Sequence, residues 1–300
     1  MKLFLFLAFS CKFVTGQLSS DSVLSLNLPW KKGDSHVIKI QSKTEDFLGN
    51  RLNTSISTYQ VQLNIINSKE SGYDVIWSYQ KADLYPSETN IENIILSNLV
   101  GIRFELFLSL KGEVIEFQNA TEVRNWCNQK LDSLIKLNSK KTVSFKLAKQ
   151  MLATDKGINI ALLKHINFYT LFFGTEYISN KTTQNSTIFP NIFADQSCAA
   201  IEKTTLKRID YNSNMCYLEK SIIVDAVELK NSLLQYLQNS STKVTAEAIN
   251  QLKSKSLEYS ETFFQEINFK RGIVTKSKFT RRMDLGISNR TINIEMETIN

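Results

Sequence analysis

Only two histidines occur in the 300-residue chain, His36 and His165. A zinc centre draws on several His or paired Cys ligands, and no Cys-x-x-Cys pair is present. The chain has no Gly-x-Ser-x-Gly elbow, no phosphate loop and no Gly-x-Gly-x-x-Gly turn. No calcium loop of alternating Asp and Asn occurs either. A general base at His165 would need a nucleophile motif, and none accompanies it, so a satisfied histidine on a helix face is the simpler assignment. No catalytic residue, metal or cofactor is expected. A hydrolase without a motif stays open, because carboxylates that meet only in space do not show in a sequence.

Two other segments hold residues that could bind something. The first is an apolar run from Ile158 to Phe173, in which eleven of sixteen residues are apolar. It reads as a helix closed by Gly174, interrupted by Lys164, His165 and Asn167, and so not a membrane span. Ile166, Tyr169, Phe172 and Phe173 would either line a pocket for an acyl chain between helix and sheet or simply form the core. The second is Lys270 to Arg282, with six basic residues and no acid. On a strand, Lys276, Lys278 and Arg282 share one face and Ile273, Phe279 and Met283 the other. The basic face is either a patch for lipid headgroups or an acidic polymer, or a solvated strand with Glu266, Glu295 and Glu297 as cross-strand partners. Arg281 falls on the apolar side and should lie near a strand end or meet an acid.

The elements that must position these residues follow from periodicity. Tyr59, Val61, Leu63 and Ile65 alternate with Gln60, Gln62 and Asn64, and Tyr73, Val75, Trp77 and Tyr79 repeat the pattern after a turn at residues 68–72. His36 to Thr44, Phe104 to Leu110 and Glu113 to Phe117 also read as strands, the last two joined by Lys111-Gly112. Helices are expected from Asn119 or Thr121, with Glu122 completing a capping box, and again from Phe145 to a pause at 154–157. Residues 175–197 read as irregular. Strands return at 199–209 and 216–224, with a turn at Asn212-Ser213-Asn214. Two short helices precede three closing strands. The order predicts an α+β fold: a curved, half-barrel-like antiparallel sheet whose apolar face is covered by a central helical segment at about 120–174. Residues 17–300 read as one domain.

The chain opens with Lys2, an apolar run from Leu3 to Phe9, and small residues before Gln17, which predicts a signal peptide over residues 1–16. Ala8-Phe9-Ser10-Cys11 is a degenerate lipobox, so a lipoprotein anchored through Cys11 is the alternative. Cleavage after Gly16 removes Lys2 and Lys12 and no acid, which lowers the formal charge from +7 to +5. That balance fits solubility and does not imply nucleic acid. No later run is long enough for a transmembrane helix. Cys127, Cys198 and Cys216 remain, and buried free thiols are the expected state. Cys216 should face a residue near Arg208, not Cys198. Six Asn-x-Ser/Thr sequons occur, at Asn53, Asn119, Asn180, Asn185, Asn239 and Asn289; a chain rich in Asn, Ser and Thr makes several by chance, and they would mark surface loops only in a eukaryotic protein.

The leader ending before Gln17, Lys32-Gly33-Asp34 opening the first long strand, and Lys111-Gly112-Glu113-Val114 leading to Asn119 are the features of a family resemblance. They resemble uncharacterised exported β-rich proteins of flavobacteria and relatives, over roughly the first 125 residues. In architecture the expected fold is similar to periplasmic half-barrel lipoprotein carriers, which implies a concave face that binds acyl chains. Two functional expectations follow. One is an exported, periplasmic or extracellular non-enzymatic protein that binds a lipid or other apolar ligand. The other is a structural or protein-interaction module of the cell envelope.

Overall fold

The computed structural model describes residues 23–48, 51–85, 99–137, 142–154, 157–158, 162–189, 197–239, 246–286 and 288–299. The expected signal peptide, Cys11 and residues 159–161 of the apolar run lie outside them. Eleven strands form one antiparallel sheet in the order β6-β5-β4-β3-β2-β13-β12-β11-β10-β9-β8. Its first meander comprises β2 (Ser35–Leu48), β3 (Arg51–Lys69), β4 (Gly72–Tyr85), β5 (Arg103–Ser109) and β6 (Val114–Phe117). The second comprises β8 (Thr182–Phe189), β9 (Cys198–Asp210), β10 (Met215–Val224), β11 (Glu258–Asn268), β12 (Ile273–Asp284) and β13 (Ser288–Ile299). The two meanders join where β2 pairs β13, from Leu48 opposite Ser288 to Val37 opposite Ile299. The sheet does not close into a barrel, and β6 and β8 are its edges. A separate two-stranded sheet pairs β1 (Val23–Leu26) with β7 (Thr175–Ile178).

Period-2 alternation produces these strands. Tyr59, Val61, Leu63 and Ile65 on β3 are buried, and the residues between them are half-buried. On β4, Tyr73, Val75, Trp77 and Tyr79 face the same side. The polar residues 175–197, expected to be irregular, instead supply β7 and β8. Edge strand β8 is exposed along Thr182–Ser186, so it has no apolar face to alternate. The hairpin after β9 turns over four residues, Tyr211–Asn214, with Asn214 at φ 56. That length puts Cys216 opposite Ile209, one residue from the expected Arg208. Cys127, Cys198 and Cys216 are buried free thiols.

Helices α1 (Ala120–Leu137) and α2 (Thr142–Leu152) follow the first meander and are linked by the Asp132–Lys149 ion pair at 2.8 Å. Within the apolar run Ile158 and Leu162 are helical, Leu163 is a bend, and the helix ends earlier than expected. Helix α3 spans Lys164–Tyr169, and Thr170 to Gly174 are turns. The Thr170 hydroxyl donates to the Gly112 carbonyl at 2.7 Å, tying the helix exit to the β5–β6 hairpin. Gly174 has φ 75, and a Cβ there would lie 2.2 Å from the Lys111 Cβ. In the second half, Asp225 caps α4 (Ala226–Asn239) by accepting from the Val227 and Glu228 N–H groups. Helix α5 (Ala246–Ser254) packs beside it through Leu233, Leu252 and Leu257.

One hydrophobic cluster runs through the sheet and the central helices. It contains Ile38, Leu63, Trp77, Leu106 and Leu218 from strands, with Val123, Leu131, Leu152, Ile166 and Phe172 from the helical segment. Burying a side chain of this size stabilises by roughly 1.5–3 kcal/mol.

Candidate functional site: the interface beneath the central helix

Ile166 and Tyr169 are fully buried, and Phe172 and Phe173 nearly so. Each is placed by α3 and its exit turn. Tyr169 meets the edge of Trp77 at 6.3 Å between ring centroids, and its hydroxyl lies 3.5 Å from Thr298 Oγ1. Burial pushes the Tyr169 phenol up to about 12. Phe172 contacts Tyr177, whose hydroxyl donates to the Phe172 carbonyl at 2.9 Å. Phe168 was not singled out by sequence reasoning, yet it packs between Phe263 and Phe279, at 5.4 and 4.6 Å. Helical spacing alone does not tell which aromatic of Phe168-Tyr169 meets which strand.

Polar groups sit inside this apolar interface. His165 is fully buried, with Nδ1 2.8 Å from the Tyr79 hydroxyl. Desolvation, helped by the Lys164 charge, holds the imidazole well below its usual range and therefore neutral. Gln265 is buried on β11 between Phe263 and Ile267, and its Nε2 donates to the Phe168 carbonyl. The central strands add Ser42, Thr44, Ser55 and Ser57, all buried, with Ser42 opposite Ser57 and Thr44 opposite Ser55. Trp77 Nε1, His165 Nε2 and Gln265 Oε1 have no hydrogen-bond partner among the described residues. An unmet buried polar group costs about 1–3 kcal/mol. A glutamine at an apolar position of an alternating strand was the available sequence signal for this site, and it was missed.

The basic residues lie on the opposite face. Lys276, Lys278 and Arg282 are exposed; Ile273 and Phe279 are buried and Met283 is half-buried. The register sets Lys276 between Glu266 and Glu297, and Lys278 beside Glu295, 3.3 Å away. With Lys39 opposite Glu297, one rung across four strands alternates in charge. These side chains line an open groove of about 360 Å³. Both signs are present, so the groove is not a simple anion-binding surface. Arg281 finds an acid: its guanidinium lies 2.7 Å from the buried carboxylate of Glu261, which also accepts from the Tyr259 hydroxyl at 2.9 Å. Among the described residues no group of three or more His, Cys, Asp or Glu could hold a metal. No helix among them is long and apolar enough to cross a membrane.

The molecule is thus of the class with a large open antiparallel sheet and short helices. No family model matches the chain, and no curated protein matches its sequence. Among solved structures, a lipovitellin chain studied for lipid–protein interactions is similar, with 11% identity and a TM-score of 0.47. The match covers 90% of this chain and 25% of that one, so this chain spans about a quarter of the lipovitellin chain.

Proposed function

We propose that the protein is an exported, non-enzymatic binder of a lipid or similar apolar ligand, held between the helical segment and the apolar face that this segment covers. The observation that carries this reading is the set of unmet polar atoms in an otherwise apolar interface: Trp77 Nε1, His165 Nε2 and Gln265 Oε1. An acyl chain suits the aromatic walls around α3, and a polar head suits the orphan atoms and the serine and threonine hydroxyls. Entry requires α3 to lift from the sheet. The helix has six residues and no side-chain cap at its start, so displacing it disrupts few backbone bonds. The non-enzymatic part is supported by His165, a neutral imidazole paired with a phenol. Export is supported by the leader pattern of residues 1–16.

Native mass spectrometry of the purified mature protein tests the reading. A bound lipid mass, or uptake of a fluorescent fatty acid that Gln265→Leu weakens, is the expected result. A clean protein mass with no uptake would overturn it. A second reading, a structural or interaction module, is favoured by the packing of Tyr169 on Trp77 and of Phe168 between two phenylalanines. In that case α3 is plain core, and its interface takes up no probe.

A further inference from the structure

We propose that the ligand beneath α3 carries an uncharged, hydroxyl-bearing head, such as the glycerol of a monoacylglycerol; this rests on the lipid-binding reading above. The class follows from the order of side chains along the covered face of the sheet. Rungs of paired residues cross that face from β11 through β12, β13 and β2 to β3. One rung is Phe263, Phe279, Ile294, Ser42 and Ser57. Its two phenylalanines hold Phe168 of α3. Two residues further along each strand stand Glu261, Arg281, Ile292, Thr44 and Ser55. The next rung is Tyr259, Met283, Arg290, Asp46 and Asn53. Same-face neighbours on a strand are roughly 6.5–7 Å apart. The aromatic wall around α3 therefore gives way to polar groups within about the length of one headgroup.

Both cations on these polar rungs already have a carboxylate. Arg281 donates to Glu261 Oε1 through Nε at 2.8 Å and sets a terminal nitrogen 2.7 Å from the same oxygen. The Glu261 side chain is 7% exposed and that of Arg281 37%. The guanidinium thus stands where the covered face reaches solvent, with its counter-ion behind it. Arg290 Nε lies 3.3 Å from Asp46 Oδ1, an ion pair that makes no hydrogen bond. At the same depth the central strands bury four hydroxyls, on Ser42, Thr44, Ser55 and Ser57.

These neighbours select the head. A fatty-acid carboxylate beside Arg281 meets Glu261 as well, and drawing the guanidinium away leaves a buried carboxylate unpaired. A zwitterionic head has to displace both members of the pair at once. A hydroxyl head breaks neither ion pair. It both donates and accepts, as do the serine and threonine hydroxyls that face it. Fatty acid still enters through its acyl chain, but more weakly.

The test is competition for the purified protein among monooleoylglycerol, oleate and oleoyl-lysophosphatidylcholine, read by native mass spectrometry. The three share one acyl chain and differ in head. Monooleoylglycerol should bind roughly tenfold or more tightly than either charged competitor. Oleate or the zwitterion binding as tightly overturns the head assignment and leaves the lipid reading standing. Uptake of none of the three overturns both. Glu261→Gln then removes the counter-ion and leaves the guanidinium at the mouth. Oleate should gain roughly tenfold on monooleoylglycerol in that variant. An unchanged ratio means that Arg281 does not meet the head, and the assignment falls. If the variant does not fold, Thr44→Val takes its place, since it keeps the volume and changes no charge. Monooleoylglycerol should then bind roughly threefold or more weakly. Unaltered binding overturns the assignment.

Discussion

His165 binds no proton in the folded protein under conditions where a solvent-exposed histidine does. Its folded pKa is depressed, chiefly by desolvation, and that of His36 is lowered for the same reason. Below the ordinary value of about 6.5 the unfolded chain takes up protons that the folded chain refuses. Stability from this source is therefore full above that pH and falls as pH drops, by up to about 1.4 kcal/mol per pH unit for each histidine. Thermal melts from pH 7.5 to pH 5 should show the decline, and His165→Gln should reduce its slope. An unchanged slope would mean that His165 is charged or solvated in the folded state. The same residue shows a limit of sequence reading. A histidine in an apolar run was read as a satisfied residue on a helix face; the structure buries it and pairs its Nδ1, while Nε2 has no partner among the described residues. Its partner, Tyr79, lies 86 positions away in sequence, and no local pattern connects the two.

At the scale of elements, the β5–β6 hairpin and the exit of α3 lock together. The Thr170 hydroxyl bonds to Gly112, and Gly174 lies against Lys111. Gly174→Ala places a methyl group where the Lys111 side chain stands, on a backbone that disfavours it. It should lower stability by roughly 1–3 kcal/mol in chemical denaturation. Glycine at 174 was legible as the end of the apolar run, with Thr170 read inside the helix that in fact ends at Tyr169, but the contact with the hairpin was not legible, because it spans 58 residues. Strands with one buried face, such as β3, β4 and β11, were legible from alternation alone. β8 was not, because a strand wet on both sides carries no alternating signal. On β12, Phe279 is buried and Lys276 and Lys278 are exposed, as the two-residue period expects, but a register shift at Glu266/Ile267 breaks that period before Lys276. Val274 pairs with Ile267 and joins the core cluster, and Ile273, although buried, pairs with Asn268 instead of sharing the face of Phe279. Charge balance across its neighbours emerged only when β13 and β11 were seen on either side.

The whole molecule is organised around the seam between β2 and β13. The first and last strands of the large sheet lie side by side, so each meander gains its central neighbour from the far end of the chain. Truncation before Ser288 should therefore abolish the single cooperative unfolding transition, not merely lower its midpoint. Two separate transitions, or one weak one, are expected by circular dichroism. Retention of full cooperativity would show that the meanders do not depend on the seam. Contacts between residues so far apart in sequence also make refolding slow, since loop closure precedes any reward from pairing.

The seam also sets a schedule during synthesis. β2 leaves the ribosome early, while its partner β13 is made some 240 residues later (Leu48 pairs with Ser288). At about 5–20 residues per second, β2 waits on the order of ten seconds or longer with one side bare. The nascent chain needs a holding factor, or a provisional neighbour, for that interval. Slowing translation of the second half should therefore lower the yield of folded protein more than slowing the first half by the same amount.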